Sequence, residues 1–308
     1  MSLAFVFPGQ GSQSVGMLKD LADNFSEVTS TFQEASDALG YDLWSLVQEG
    51  PAEKLNSTDV TQPAMLASGV ATWRIWQAKN GATPSVMAGH SLGEYTALVC
   101  SGSLNFVDAI KLVSQRGKFM MEAVPAGTGA MAAILGLDDD AVRQVCLDAA
   151  EGDVLEAVNY NSPGQVVVAG HKSAIERVTV LAKEKGAKRA LELPVSVPSH
   201  CALMQPAAEK LAEVMAGISF NTPSIPVINN ADVTANNSEA DIRDALKRQL
   251  FSPVRWVETI EKMSADGVNK VIECGPGKVL VGLNKRINKS MASAALIDTA
   301  SIEAALEL

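Results

Sequence analysis

Gly89, Ser91 and Gly93 stand in a Gly-x-Ser-x-Gly spacing, with His90 and Leu92 between them. Two glycines around a serine suit a chain that must reverse within a few residues, where side chains would collide with a neighbouring strand or helix. Such a turn pushes the serine hydroxyl out at its tip. The unpaired N–H groups of a helix that begins beside it can then hold a developing oxyanion. The chemistry this suits is nucleophilic acyl transfer.

A serine is a poor nucleophile at neutral pH and needs a base within hydrogen-bond reach. Three histidines are present. His90 is carried by the same tight turn, so its ring reaches the hydroxyl with difficulty and its expected role is packing. His171 falls at the start of an expected helix, an ordinary place for an exposed histidine. His200 is left as the base by elimination, at the point where the chain returns from one expected unit to another. The group that orients its imidazole stays open: any of 35 acidic residues, or a backbone carbonyl, could accept the Nδ1 proton.

These residues need elements to hold them. Residues 3–7 read as a buried strand and 8–13 as a loop at its carboxyl end, the edge where open α/β sheets bind ligands. Residues 17–81 have a helical pattern, interrupted at Gly40, at Gly50-Pro51 and at Gln62-Pro63. Residues 84–88 form a short apolar run before the Ser91 turn, with a helix after it. A further helix spans 106–122, with Ile110, Val113, Gly117 and Met121 on one face and Arg116 beside them. An arginine there, taken alone, reads as a solvated surface charge.

From 127 to 194 the period changes. Strands at 130–137, 154–159, 165–169 and 188–193 alternate with helices at 138–149 and 172–185, and 161–164 reads as a turn. That order, βαββαβ, is the ferredoxin-like arrangement. The expected fold is therefore α/β: an α/β-hydrolase-like catalytic body with a parallel sheet and a nucleophile elbow over residues 1–122 and 198–308, and an inserted ferredoxin-like subdomain over 123–197. Back in the body, helices are expected at 201–215, 239–251, 255–265 and 279–288, with strands at 226–229 and 270–274. The cleft between the two units is the default ligand site.

Composition narrows the class. Hydrophobic residues make up 47% and charged residues 19%, as in ordinary globular proteins. The net charge of −10 argues against general affinity for nucleic acid or anionic membranes. Four scattered cysteines suggest neither a metal site nor a disulfide framework. The apolar run 3–7 is too short for a signal peptide or a membrane span, so a cytoplasmic location is expected. The glycine-rich loop 8–13 lacks the spacing of a nucleotide loop.

Several stretches together resemble the malonyl-CoA:acyl carrier protein transacylases of bacterial fatty acid synthesis. They are Phe7-Pro8-Gly9-Gln10-Gly11-Ser12-Gln13, Gln62-Pro63-Ala64, Gly89-His90-Ser91-Leu92-Gly93-Glu94-Tyr95 and Gln115-Arg116-Gly117. Asn159-Tyr160-Asn161-Ser162-Pro163-Gly164-Gln165, Val197-Pro198-Ser199-His200 and Glu273-Cys274-Gly275-Pro276-Gly277 complete the set in the family's order.

The resemblance implies transfer of malonyl from coenzyme A to the phosphopantetheine thiol of acyl carrier protein through a malonyl-serine ester, with no bound cofactor or metal. It implies Ser91 as nucleophile and His200 as base, with backbone N–H groups of Gln10 and Leu92 as the oxyanion hole. It also implies Arg116 as the grip on the malonyl carboxylate, Gln62 and Asn159 as pocket residues, and the main-chain carbonyl of Gln249 as the group that orients the histidine. The reading of Arg116 as a surface charge then reverses. A planar two-point fork suits a carboxylate held in a partly dry pocket.

The family's acyl carrier proteins are acidic, so docking on a chain of negative net charge needs a local basic patch. Lys285, Arg286 and Lys289 are candidates. A monomer is expected. Two other readings use the same nucleophile: a serine esterase, whose pocket has no reason to contain Arg116, and a trans-acting acyltransferase of polyketide synthesis.

Overall fold

The computed structural model describes residues 2–195 and 197–307. Met1, Ser196 and Leu308, which fall within the expected unit boundaries, lie outside the described residues. The chain opens with strand β1 (Ser2–Phe7) and helices α1 (Lys19–Asn24), α2 (Ser26–Leu39), α3 (Leu43–Glu49), α4 (Ala52–Leu55) and α5 (Thr58–Ala78). Strand β2 (Val86–Gly89) leads into α6 (Gly93–Cys100) and α7 (Phe106–Glu122). A second group follows as β3 (Gly129–Leu135), α8 (Asp139–Ala150), β4 (Leu155–Ser162), β5 (Gln165–His171), α9 (Lys172–Glu184) and β6 (Arg189–Glu192). The chain then runs through α10 (Gln205–Met215), β7 (Val227–Ile228), α11 (Glu239–Gln249), α12 (Trp256–Ala265) and β8 (Val268–Cys274). It ends with α13 (Val279–Ile287), β9 (Ala292–Leu296) and α14 (Thr299–Leu306).

The fold is α/β, built on a parallel five-stranded sheet in the order β7-β2-β1-β8-β9. Its central strand is buried on both faces, which explains the unbroken apolar run of residues 3–7. Successive side chains go to opposite sides. Phe5 packs on Trp73 and Trp76 of α5, while Ala4 and Val6 join the cluster of Trp256, Met263 and Val271. The second sheet is antiparallel, in the order β4-β5-β3-β6, and packs α8 and α9 around a core of its own.

Three expectations about elements are corrected. Pro63 does not interrupt a helix; α5 runs through it. An interior proline costs roughly 3 kcal/mol, but nearly every residue of α5 is buried, and that burial outweighs one lost backbone bond. Asn161 and Ser162 belong to β4, not to a turn, and only Pro163 and Gly164 turn the chain. Finally, β9 and α14 lie beyond the last expected element. The strand is an edge of small residues, with too little apolar alternation to announce itself.

Candidate active site

β1 and β2 end side by side, with Phe7 paired to Gly89, so the turn after β2 emerges at the carboxyl edge of the sheet. A Cβ on Gly89 would lie 1.8 Å from the carbonyl carbon of Gly93, and one on Gly93 would lie 2.1 Å from the carbonyl oxygen of Phe7. Only glycine fits either place. Ser91, between them, has φ 51°, a left-handed conformation that costs a non-glycine residue about 1 to 3 kcal/mol. Asn230 holds it there. Its Oδ1 accepts the Ser91 N–H at 2.7 Å and its Nδ2 donates to the Gly89 carbonyl at 2.7 Å, so one side chain bridges the whole reversal.

His200 is brought to Ser91 from 109 residues away, with Nε2 and Oγ 2.7 Å apart. It too is left-handed, at φ 68°, and its N–H donates to the Leu250 carbonyl. Nδ1 lies 2.7 Å from the Gln249 carbonyl oxygen. A carbonyl only accepts, so Nδ1 carries the proton and Nε2 presents its lone pair to the serine hydroxyl. Burial, with the nearby Arg116 charge adding to it, pushes the histidine down to about 3. The imidazole is therefore neutral and ready to accept a proton.

Arg116 is 1% exposed, so it is not a surface charge. Its Nη1 donates to Gln62 Oε1 at 2.8 Å, its Nη2 donates to Gln249 Oε1 at 3.0 Å, and the same Nη2 lies 3.4 Å from Ser91 Oγ. The guanidinium also sits over the Tyr95 ring. Among the described residues its Nε has no partner and it forms no ion pair. Gln249 thus contacts all three residues: its carbonyl faces His200 Nδ1, its side-chain oxygen accepts from Arg116, and its side-chain N–H donates to the Ser91 carbonyl and to Glu94.

The cavity above these groups encloses about 500 Å³. Ser91, His200, Arg116, Gln10 and Leu92 line it from the larger sheet's side, and Met131 and Asn159 from β3 and β4. Neither the Gln10 nor the Leu92 backbone N–H donates to another group among the described residues, and both residues line the cavity with Ser91. The buried Oδ1 of Asn159 is likewise without a partner. Gln62 and Gln249 stand behind Arg116 rather than on the cavity wall. Lys285, Arg286 and Lys289 are apart from the cavity, near the C-terminal end of α13, where Arg286 Nη1 donates to Gln165 Oε1 at 2.7 Å.

Sequence reasoning missed three residues that shape this centre: Asn230, Glu94 and Asn161. Asn161 accepts a 2.8 Å hydrogen bond from His90, whose ring also packs on Trp256. Glu94 followed the Ser91 turn in plain view, but nothing local signals that its carboxylate would be buried. Among the described residues no three His, Cys, Asp or Glu side chains gather where they could share a metal, and no helix is long and apolar enough to cross a membrane.

The chain matches the acyl transferase domain family over residues 4–303. It is 60% identical to the malonyl CoA-acyl carrier protein transacylase of Escherichia coli strain K12 over 305 residues, covering 99% of both chains. A crystal structure of an acyl carrier protein S-malonyltransferase from Vibrio cholerae superposes with a TM-score of 0.97 at 62% identity, covering 99% of each chain. A type II PKS acyl-carrier protein in complex with its malonyl-transacylase gives 0.99 at 59% identity, over 100% of this chain and 99% of that one.

Proposed function

This chain belongs to the acyl transferase domain family, among the malonyl CoA-acyl carrier protein transacylases, and from that membership we infer that it moves malonyl from coenzyme A to the phosphopantetheine thiol of acyl carrier protein. The observation that carries the reading is the convergence of Ser91, neutral His200 and a buried Arg116 on one cavity. We propose that Ser91 Oγ attacks the thioester carbonyl while its proton passes to His200 Nε2. The tetrahedral oxyanion is held by the free N–H groups of Gln10 and Leu92. Collapse expels the coenzyme A thiol with the proton from His200 and leaves a malonyl ester on Ser91. The second half runs in reverse: the carrier thiol gives its proton to His200 and attacks the ester, the Ser91 Oγ–acyl bond breaks as Oγ takes that proton back from His200, and the carrier departs as the malonyl thioester.

Arg116 receives the malonyl carboxylate, and the unpartnered Asn159 Oδ1 offers an acceptor to an N–H of the incoming group. The reaction is carried by side chains and backbone, without a metal or bound cofactor. We read residues 89–93 as a nucleophile elbow, supported by the tight glycine contacts and the left-handed Ser91. We read 123–197 as a ferredoxin-like insertion into a catalytic body of 1–122 and 198–308, supported by the strand order of the antiparallel sheet. The protein is proposed to act as a cytoplasmic monomer.

Intact-protein mass spectrometry after mixing with malonyl-CoA tests the mechanism. A malonyl adduct should form, acyl carrier protein should remove it, and Ser91→Ala should abolish it. A normal adduct on Ser91→Ala would place the nucleophile elsewhere.

A further inference from the structure

Arg116 is a buried cation without a carboxylate at ion-pair distance among the described residues, and such a charge is costly unless something balances it. Gln249 connects it to a candidate. Arg116 Nη2 donates to Gln249 Oε1 at 3.0 Å, and Gln249 Nε2 donates to Glu94 Oε2 at 2.8 Å. Glu94 is 2% exposed, and the same Oε2 accepts the Asn230 N–H at 2.9 Å. Asn230 is in turn the residue that clamps Ser91. One carboxylate therefore backs both the acyl anchor and the nucleophile without lining the main cavity. Instead it faces a small separate cleft, lined with it by Asn229, Asn236 and Ile242.

We propose that Glu94 is a positioning and specificity-determining residue: it is the counter-charge that holds Arg116 while the pocket is empty, and it takes up one proton from solvent when an acyl carboxylate reaches Arg116. The inference rests on the reading that Arg116 receives that carboxylate. The exchange balances simply. One anion arrives, one carboxylate becomes a carboxylic acid, and no other bond changes.

The surroundings allow this at neutral pH. Burial holds the Glu94 carboxyl up at about 7, against hydrogen bonds from Asn230 and Gln249 and the charge of Arg116. A second anion beside Arg116 raises it further. The other titratable groups around it are shifted away from that value. Burial pushes Tyr95 up to about 12, His200 is down at about 3, and His90 is lowered by burial. Asp232, which opposes ionisation of Glu94, is itself held low by Arg248.

The sign follows. Below about 7 Glu94 is neutral and the guanidinium is free for the substrate; above it the Glu94 anion opposes the malonyl carboxylate but is indifferent to an acetyl group. The rates of Ser91 acylation by malonyl-CoA and acetyl-CoA, taken as a ratio, cancel titrations shared by the two thioesters. Between about pH 6 and pH 8 this ratio should fall roughly three- to eightfold, the effect of one unit charge across one carboxamide at intermediate dielectric acting through a single group that titrates near 7. Glu94→Gln, which keeps a side-chain acceptor, should hold the ratio at its low-pH value throughout. Mixing with malonyl-CoA in weak buffer at pH 7 should also consume protons, as read by an indicator dye, and mixing with acetyl-CoA should consume fewer.

A wild-type ratio that is flat with pH, or a slope unchanged in Glu94→Gln, overturns the inference. The Arg116→Ala variant separates the two readings. If it leaves the malonyl-to-acetyl ratio at the wild-type value, the anchor itself is wrongly assigned; if it collapses the ratio while Glu94→Gln does nothing, only the role of Glu94 fails.

Discussion

At the scale of single residues, Gln249 concentrates more of the site than either reactive group. Its backbone and side chain do separate work: the carbonyl fixes the imidazole tautomer, and the carboxamide joins Arg116, Ser91 and Glu94. Gln249→Ala separates them, because the carbonyl survives the substitution. His200 should keep its proton arrangement, while Arg116 loses an acceptor. Hydrogen bonds to charged groups contribute about 1.5 to 3 kcal/mol, so acylation by malonyl-CoA should slow roughly tenfold to a hundredfold. Acylation by acetyl-CoA should slow less. Equal losses would assign the carboxamide to Ser91 alone. The same residue shows what a sequence can and cannot disclose. Ser91 and His200 are legible because a tight turn leaves a local spacing and histidines are few. The bond from Asn230 to Ser91 spans 139 residues, and that from Gln249 to Glu94 spans 155, so no local pattern records either.

At the scale of elements, the site depends on how closely β2, its turn and α6 approach β1. Gly89 and Gly93 are needed for lack of space rather than for a positive φ, since a Cβ on either would meet backbone that cannot step aside. Gly152 is the opposite case: φ is 92° and nothing lies within 4 Å of its added Cβ. Gly89→Ala should therefore lower unfolding free energy by more than about 3 kcal/mol, and Gly152→Ala by about 1 kcal/mol. Chemical denaturation of the two variants distinguishes the causes. Comparable losses would mean that the turn can open to admit a methyl group. Helix α5 carries the complementary lesson. Its proline reads as a break because local chemistry forbids proline inside a helix, yet the helix is so enclosed that tertiary burial decides.

At the scale of the whole molecule, the chain carries a net charge of −10, so an acidic carrier would need a local basic patch to dock. Lys285 and Arg286 are in the last turn of α13, where cations also complement the helix dipole, and Arg286 reaches across to Gln165 at the start of β5. If this end of α13 is where acyl carrier protein lands, Lys285→Glu with Arg286→Glu should raise KM for the carrier and leave malonyl-CoA loading unchanged, most visibly at low salt. Unaltered carrier kinetics at low salt would remove the patch from consideration.

The two sheets also differ in how their strands are drawn from the chain. The antiparallel sheet uses one continuous stretch, residues 129–192, whereas β1 sits between β2 and β8, with partners at residues 86–89 and 268–274. During synthesis the inner sheet strand made first must therefore wait for nearly the last. The smaller sheet has every pairing available once residue 192 has left the ribosome, while residues 2–7, among the most apolar of the chain, remain half-paired until β8 emerges. The Gln249 carbonyl that lies against His200 Nδ1 is also made late, so the nascent chain holds Ser91 long before it holds the histidine and the carbonyl that meet there.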